Sequence, residues 1–442
     1  LSGNHEDSAD RVRQELAPLI EEMDFLQEQA RQASPEPIAP SSLLASAQAT
    51  LDDNDTILEY YIGPDMSGVW AISRDEISFL PISDSEKVAN DVDAVLRSIR
   101  DQRRPPGDAL VRLSRSLLGQ SGFLAPAKSH LIIIPDGPLH HLPFAVLPDP
   151  AFDDEDPLIV SRRLSYLPSV HALLELRSRG APLTKDAADG IAILADPVFE
   201  ANDPRMQRTV DSPEPVRVAL LDRELSRGAE RSGVVDFPRL SGSIREAIAI
   251  QHAAGDEHVL MLTDTDANRD VVLSGQLDEF EILHFATHGI LDSEEPALSG
   301  LVLSGVDKDG TPRSRFLRSQ DIAGLTLSAR LIVLSGCETG LGRLVHGEGL
   351  LGLSRAFFYA GANQVVSTLW PVPDRTTAEL MGHFYYAHLH DKLPVPDALR
   401  QAQLKIRENA AWSSPFYWAA FIVQGDWTEQ SESSVRPTSG AE

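Results

Sequence analysis

Two apolar runs, Phe280-Glu-Ile-Leu-His284-Phe-Ala286 and Leu331-Ile-Val-Leu334, each end in a small-residue turn that carries a reactive side chain. The first closes on His288-Gly289. The second closes on Ser335-Gly336-Cys337, which holds the one cysteine of the protein. Runs so short and so apolar read as strands buried on both faces, the kind a parallel sheet contains. Parallel strands joined by crossovers bring their carboxyl ends to one rim, and α/β proteins build their sites there. Cys337 follows His288 by 49 residues, so a nucleophile and a base are expected to meet on that rim.

At 442 residues, with 42% hydrophobic residues, the chain exceeds what one core usually serves, and two subdomains are expected. Its net charge of −27 repels nucleic acid and anionic membrane surfaces, so neither is expected as a partner. A single cysteine excludes an internal disulfide and suits a reducing, cytoplasmic setting. No apolar run approaches the roughly 20 residues of a membrane span. Leu350 to Trp370 comes nearest and is broken by Arg355, Asn363 and Gln364. The opening Leu1-Ser-Gly-Asn-His5 reads as a truncated start rather than a signal peptide.

In chain order, residues 1–40 read as an amphipathic helix over Asp7 to Ala33 and a Pro-rich linker, either packed on the next domain or left from a repeat array. Residues 41–198 read as an N-terminal subdomain. It opens on an antiparallel meander (Ile57–Ile62, Val69–Ile72, Ile77–Leu80) and continues with helices at Ser85–Arg100 and Gly107–Leu118 and buried strands at Leu131–Ile134 and Ile191–Asp196. His140 and His141 read as part of a packed turn. Residues 199–240, polar and dotted with arginines from Arg205 to Arg231, read as an exposed loop in which self-cleavage is a candidate role. Residues 241–427 alternate strand and helix as a mostly parallel sheet flanked by helices requires, and 428–442 is a polar tail. Within this half, helix starts are expected at Asp266, capped by itself or by Thr265, and at a Thr376–Glu379 capping box. The last strand is placed at Trp418–Val423.

Four phrases in order resemble one family: His284-Phe-Ala-Thr-His-Gly289, Leu334-Ser-Gly-Cys-Glu-Thr-Gly340, Gly347-Glu-Gly-Leu-Leu-Gly-Leu-Ser-Arg-Ala-Phe357 and Ser367-Thr-Leu-Trp-Pro-Val-Pro-Asp374. Together they are similar to the CHAT family of caspase-like, separase-related cysteine peptidases, and the looser likeness runs from about Asp55 to Trp427. The spacing of the histidine and cysteine also agrees with the roughly 50 residues seen in caspases. The sequence departs from the family wording at Gly336, where alanine is common, and at Pro371 and Pro373. The resemblance implies a caspase-type fold, peptide-bond hydrolysis by a Cys/His dyad without metal or cofactor, and a protein substrate. It also implies fusion to tetratricopeptide or other sensing repeats as a regulatory partner.

The chemistry expected of these residues is acyl transfer. Cysteine is intrinsically nucleophilic and partly thiolate near neutrality, so Cys337 is assigned the attack and His288 the proton transfers. The backbone N–H groups of Gly289 and Cys337 are assigned to the oxyanion. Asp374 is given the arginine-recognising role by its match to the family phrase, with an N-cap as its alternative use. Trp370 and Asp292 are expected to line the substrate groove, with Glu294 and Glu295 adding negative charge. His284 and His288 form His-x-x-x-His, but on a strand those positions lie about 13 Å apart, too far to share a metal ion, and His284 is read as structural. The expectation is therefore a regulated endopeptidase cutting after a basic residue. Its rival is a degenerate CHAT module that acts as an interaction scaffold.

Overall fold

A computed structural model describes residues 40–63, 65–119, 124, 129–152, 156–179, 189–206, 237–290, 299–336 and 348–428. The chain divides into two units, Leu1–Ser46 and Ala47–Glu442. The N-terminal amphipathic stretch lies outside the described residues.

The meander forms as expected: β1 (Asp55–Ile62), β2 (Ser67–Ile72) and β3 (Ile77–Pro81) pair antiparallel. Two amphipathic helices follow, α1 (Ser85–Arg100) and α2 (Gly107–Leu118), and α1 is capped where the Asp84 side chain accepts from the Lys87 N–H. Two parallel blocks follow: β4 (His130–Ile134), β5 (Arg163–Tyr166) and β14 (Phe421–Gly425) run with β1, and β6 (Ile191–Pro197), β7 (Val259–Asp264), β8 (Ile282–Ala286), β12 (Leu331–Leu334) and β13 (Gln364–Thr368) run the opposite way, the blocks meeting where β14 pairs antiparallel with β13. All join one sheet in the order β3-β2-β1-β4-β5-β14-β13-β12-β8-β6-β7. A small second sheet holds β9 (Gly289–Ile290), β10 (Gly300–Val302) and β11 (Phe316–Arg318).

Burial alternates along the central strands as the pleat demands. Ile191, Ile193, Ile282, Leu331 and Val333 face one core, which they share with α1, α2, α3 (Ser243–Ala254), α5 (Asp374–Leu389) and α6 (Val395–Glu408). Ala192, Leu194, Leu283, Phe285, Ile332 and Leu334 face the other, filled by Leu353 and Phe357 of α4 (Glu348–Ala360). Strands covered on both faces tolerate no polar alternation, and their buried residues are apolar apart from His284 within β8 and the ends of β6 (Asp196) and β13 (Ser367, Thr368).

Several boundaries differ from expectation for local reasons. The helix expected from Asp266 begins at Arg269, because Asn268 supplies the cap to the Val271 N–H. Helix α5 starts at Asp374 rather than at the Thr376 capping box, since Pro373 brings the chain in already extended. Pro415–Trp418 turns as a short helix, so the last strand starts only at Phe421. The two sequence halves do not separate at the sheet: β14, the last strand, lies between β5 and β13, and Gln424 pairs with Tyr166.

Candidate active site

Strands β8 and β12 are direct parallel neighbours, with His284 opposite Val333 and Phe285 opposite Leu334. They therefore end together at one rim. Past the ladder, the Ser335 N–H still donates to the Phe285 carbonyl at 3.2 Å. At Gly336 the chains touch: a Cβ there would lie 2.6 Å from the Thr287 nitrogen and 2.8 Å from its oxygen. Gly336 is bonded to Cys337, and Thr287 to His288. The two backbones thus pass in contact at the residues just before the expected pair, a closeness only glycine permits. Cys337 itself, like Asp292, Glu294 and Glu295, lies outside the described residues.

His288 is 2% exposed. Its Nε2 lies 2.7 Å from the Pro238 carbonyl oxygen, and its ring packs against those of Phe199 and Phe237 at 5.1 and 5.7 Å, which also touch each other at 6.2 Å. A carbonyl can only accept, so Nε2 carries the proton, and in the neutral ring Nδ1 is the basic nitrogen. The next residue, Gly289, enters β9 opposite Leu301. The Val302 N–H donates to the His288 carbonyl at 2.8 Å. By antiparallel alternation, that contact turns the Gly289 N–H away from β10.

The stretch expected as an exposed loop is anchored at both described ends. Phe199 is buried against His288, and Arg205 is held by Asp203, Asp196 and Asp264 at 2.7 to 3.2 Å. Arg208 to Arg231, the remaining self-cleavage candidates, lie outside the described residues.

Trp370 is corrected from groove lining to core. It is 1% exposed, its indole N–H donates to the Phe416 carbonyl at 3.0 Å, and it belongs to the core that holds Leu380, Met381 and Phe384 of α5. Asp374 is exposed at the rim but does not cap: Pro373 holds the cap position and no side-chain cap bond forms. Its carboxylate packs against Gly242, where a Cβ would meet its atoms at 2.0 to 2.1 Å. Four residues of extended chain span at most about 14 Å, so Asp374 stays close to the Pro238 carbonyl that holds His288.

His284, fully buried, is structural in a way its own strand does not reveal. Nε2 lies 2.9 Å from Glu246 Oε1 and 3.1 Å from Ser335 Oγ, and Nδ1 lies 3.0 Å from the Tyr385 hydroxyl. Both ring nitrogens are engaged, which leaves neither for a metal, and among the described residues no cluster of three metal-ligating groups forms. Burial, then the Glu246 charge, pushes the Tyr385 phenol up, so it stays protonated. Glu246 went unnoticed in the sequence, although it sits one turn before Ile250 on the buried stripe of α3, where a carboxylate signals a partner.

A family model for the CHAT domain matches residues 106–426. The chain belongs to the CHAT family. The CHAT match stops short of β1, β2 and β3, which nevertheless extend the same sheet. Two curated relatives are tetratricopeptide repeat protein 28 of Mus musculus, 36% identical over 113 residues, and of Homo sapiens, 33% identical over 109 residues. Those stretches are 26% and 25% of this chain and 4% of each relative, so the chain spans only a small part of their length. Among solved structures, the Saccharomyces cerevisiae separase–securin complex aligns over 87% of this chain and 31% of that one, with TM-score 0.46 and 11% identity. Gingipain R (RgpB), an Arg-specific cysteine proteinase, aligns over 78% of this chain and 74% of that one, with TM-score 0.40 and 8% identity.

This CHAT chain also contains a second histidine in triad-like company. His130 Nδ1 lies 2.9 Å from Asp55 Oδ1 and Nε2 2.9 Å from Ser165 Oγ. All three residues are at most 1% exposed. With no access for a substrate, this set pins β1, β4 and β5 together.

Proposed function

We propose that this CHAT protein is a cysteine endopeptidase with Cys337 as nucleophile and His288 as general acid and base. The observation that carries the reading is the contact of Gly336 with Thr287, which delivers both chains to one rim. The sulfur adds to the scissile carbonyl carbon while His288 Nδ1 takes the thiol proton. The imidazolium then gives that proton to the leaving amine as the C–N bond breaks, which leaves a thioester. Water, losing its proton to the same nitrogen, displaces the thiolate and releases the acid. The N–H groups of Gly289 and Cys337 face the developing oxyanion, each worth about 10²–10³ in rate. Asp374, exposed at the rim, pairs with a guanidinium before the cut. Asp292 extends the acidic groove. No metal or cofactor enters. The substrate is a protein partner, and the tetratricopeptide relatives support a sensing repeat array as regulator.

The test is a peptide-library cleavage profile of this chain beside Cys337→Ala and His288→Ala. Cleavage after arginine, lost in both variants, is expected, and iodoacetamide should label Cys337 more slowly once His288 is removed. Unchanged labelling would sink the dyad. One observation favours a second reading, an interaction scaffold: His288 is closed over by Phe199 and Phe237. Partner capture by a wild-type protein that cleaves no peptide would select it.

A further inference from the structure

The carbonyl that orients His288 belongs to Pro238, and the residue after it makes a forked ion pair. Arg239 directs Nε and Nη2 onto the Asp196 carboxylate at 2.6 to 3.2 Å, a planar fork on a planar acceptor. Asp196 near the end of β6 is an unusual anchor. It is 3% exposed, and its φ of 47° is a conformation that non-glycine residues keep only when their surroundings impose it.

The bonds around it do so. The Asp196 N–H donates to Ser243 Oγ at 2.8 Å, and that hydroxyl donates to the Leu240 carbonyl at 2.8 Å. Arg205 donates to the Asp196 carbonyl at 2.7 Å. Asp196 is therefore held by residues from both sides of the 207–236 stretch. Directly through Arg239, and through Ser243 to Leu240, it holds the two residues that follow Pro238. The Phe237 ring, one residue earlier, packs on His288.

We infer that Asp196 and Arg239 are positioning residues for His288: their ion pair holds the Pro238 carbonyl against Nε2, and so keeps the proton there and Nδ1 as the basic nitrogen. Neither touches substrate or reacting atoms. The inference rests on the proposed role of His288, since an imidazole that moves no proton has no use for a chosen nitrogen. Phe237 packing alone would position the ring plane but could not distinguish its two nitrogens; an acceptor at a fixed place does.

The variants follow from the geometry. Asp196→Asn keeps a residue that tolerates the left-handed backbone and removes the charge. Arg239→Gln alters a half-exposed side chain, and Arg239→Lys keeps the charge without the fork. In the full chain, the His288 Nε2 proton is followed by NMR as the slowly exchanging imidazole resonance that disappears in His288→Gln. Thermal midpoint and peptide cleavage are measured alongside.

The expected result is that Asp196→Asn and Arg239→Gln lose that resonance to water exchange while remaining folded. In both, kcat falls about tenfold to a hundredfold at little-changed KM, part of what general acid–base catalysis supplies. Arg239→Lys recovers part of both. A resonance that stays sharp and protected in both variants overturns the inference, even if cleavage persists and the peptidase reading stands. If the wild-type protein cleaves no peptide, the peptidase reading fails, and loss of the resonance in the variants still establishes the latch on His288.

Discussion

At the scale of single residues, one glycine and one buried carboxylate decide most. Gly336 admits the Thr287 backbone to within 2.6 Å of where a Cβ would stand. Gly336→Ala must therefore push the ends of β8 and β12 apart, and reaction of Cys337 with iodoacetamide should lose its dependence on His288. Wild-type labelling and cleavage in that variant would show that the contact is unimportant. Glu246 is the opposite case, a charge 3% exposed with His284 as its partner. Removing one member of such a pair leaves the other's buried hydrogen-bonding atom without its partner, so Glu246→Ala is expected to destabilise by about 1–3 kcal/mol. Replacing both by apolar residues should cost less. Urea unfolding of the single and double variants checks the order, and equal losses would contradict it.

At the scale of elements, helices α3 and α5 begin side by side at the rim. Asp374 is the first residue of one and packs on Gly242, the residue before the other. A carboxylate at helix N-termini contributes about 0.3–1 kcal/mol, so Asp374→Asn should cost stability on that order. A charge-assisted contact to a substrate guanidinium is worth about 1.5–3 kcal/mol, or roughly 10–100-fold in kcat/KM. Cleavage after arginine should fall by that factor in Asp374→Asn. It should fall also in Gly242→Ala, where the added methyl displaces the carboxylate while its charge remains. If Gly242→Ala leaves arginine peptides unaffected, Asp374 serves the helices alone.

At the scale of the whole molecule, the last strand closes the seam between the halves. Arg177 pairs with Asp426 at 3.0 Å and stacks over Trp427, whose indole donates to Asp55 beside His130. Trp427→Ala should therefore cost about 3–5 kcal/mol, as truncating a buried aromatic does, and should unfold both halves in one transition. Two separate transitions would mean that the halves are independent. Acid acts on the same body. Burial, then neighbouring His141, lowers His140 from its ordinary 6.5 to about 4, and burial lowers His130 against the pull of Asp55. Both bind protons more readily unfolded, so stability should fall as pH drops from about 6.5 toward 4. Below that window Asp149 takes over: burial would raise it, but hydrogen bonds from Arg162 and Ser161 hold it under its ordinary 3.8. Its contribution is lost as pH falls through its folded value. Denaturant unfolding between pH 7 and 4 should show the histidine slope, flattened in His140→Gln.

Among the described residues, composition and periodicity were enough to place the strands that carry His288 and lead to Cys337, their parallel pairing, and the helices of both cores. Each of those signals is local: a run of branched apolar residues has few ways to hide from water, and a glycine-bounded strand end advertises itself. Four things were out of reach. They are the Glu246 partner of His284, the Pro238 carbonyl at His288 Nε2, the burial of Trp370, and the insertion of β14 between β5 and β13. Each joins residues 38 or more apart in sequence, or depends on which neighbour fills a given side of the sheet. Side-chain types specify what must be buried or bonded, but only the assembled sheet decides which distant atom does it.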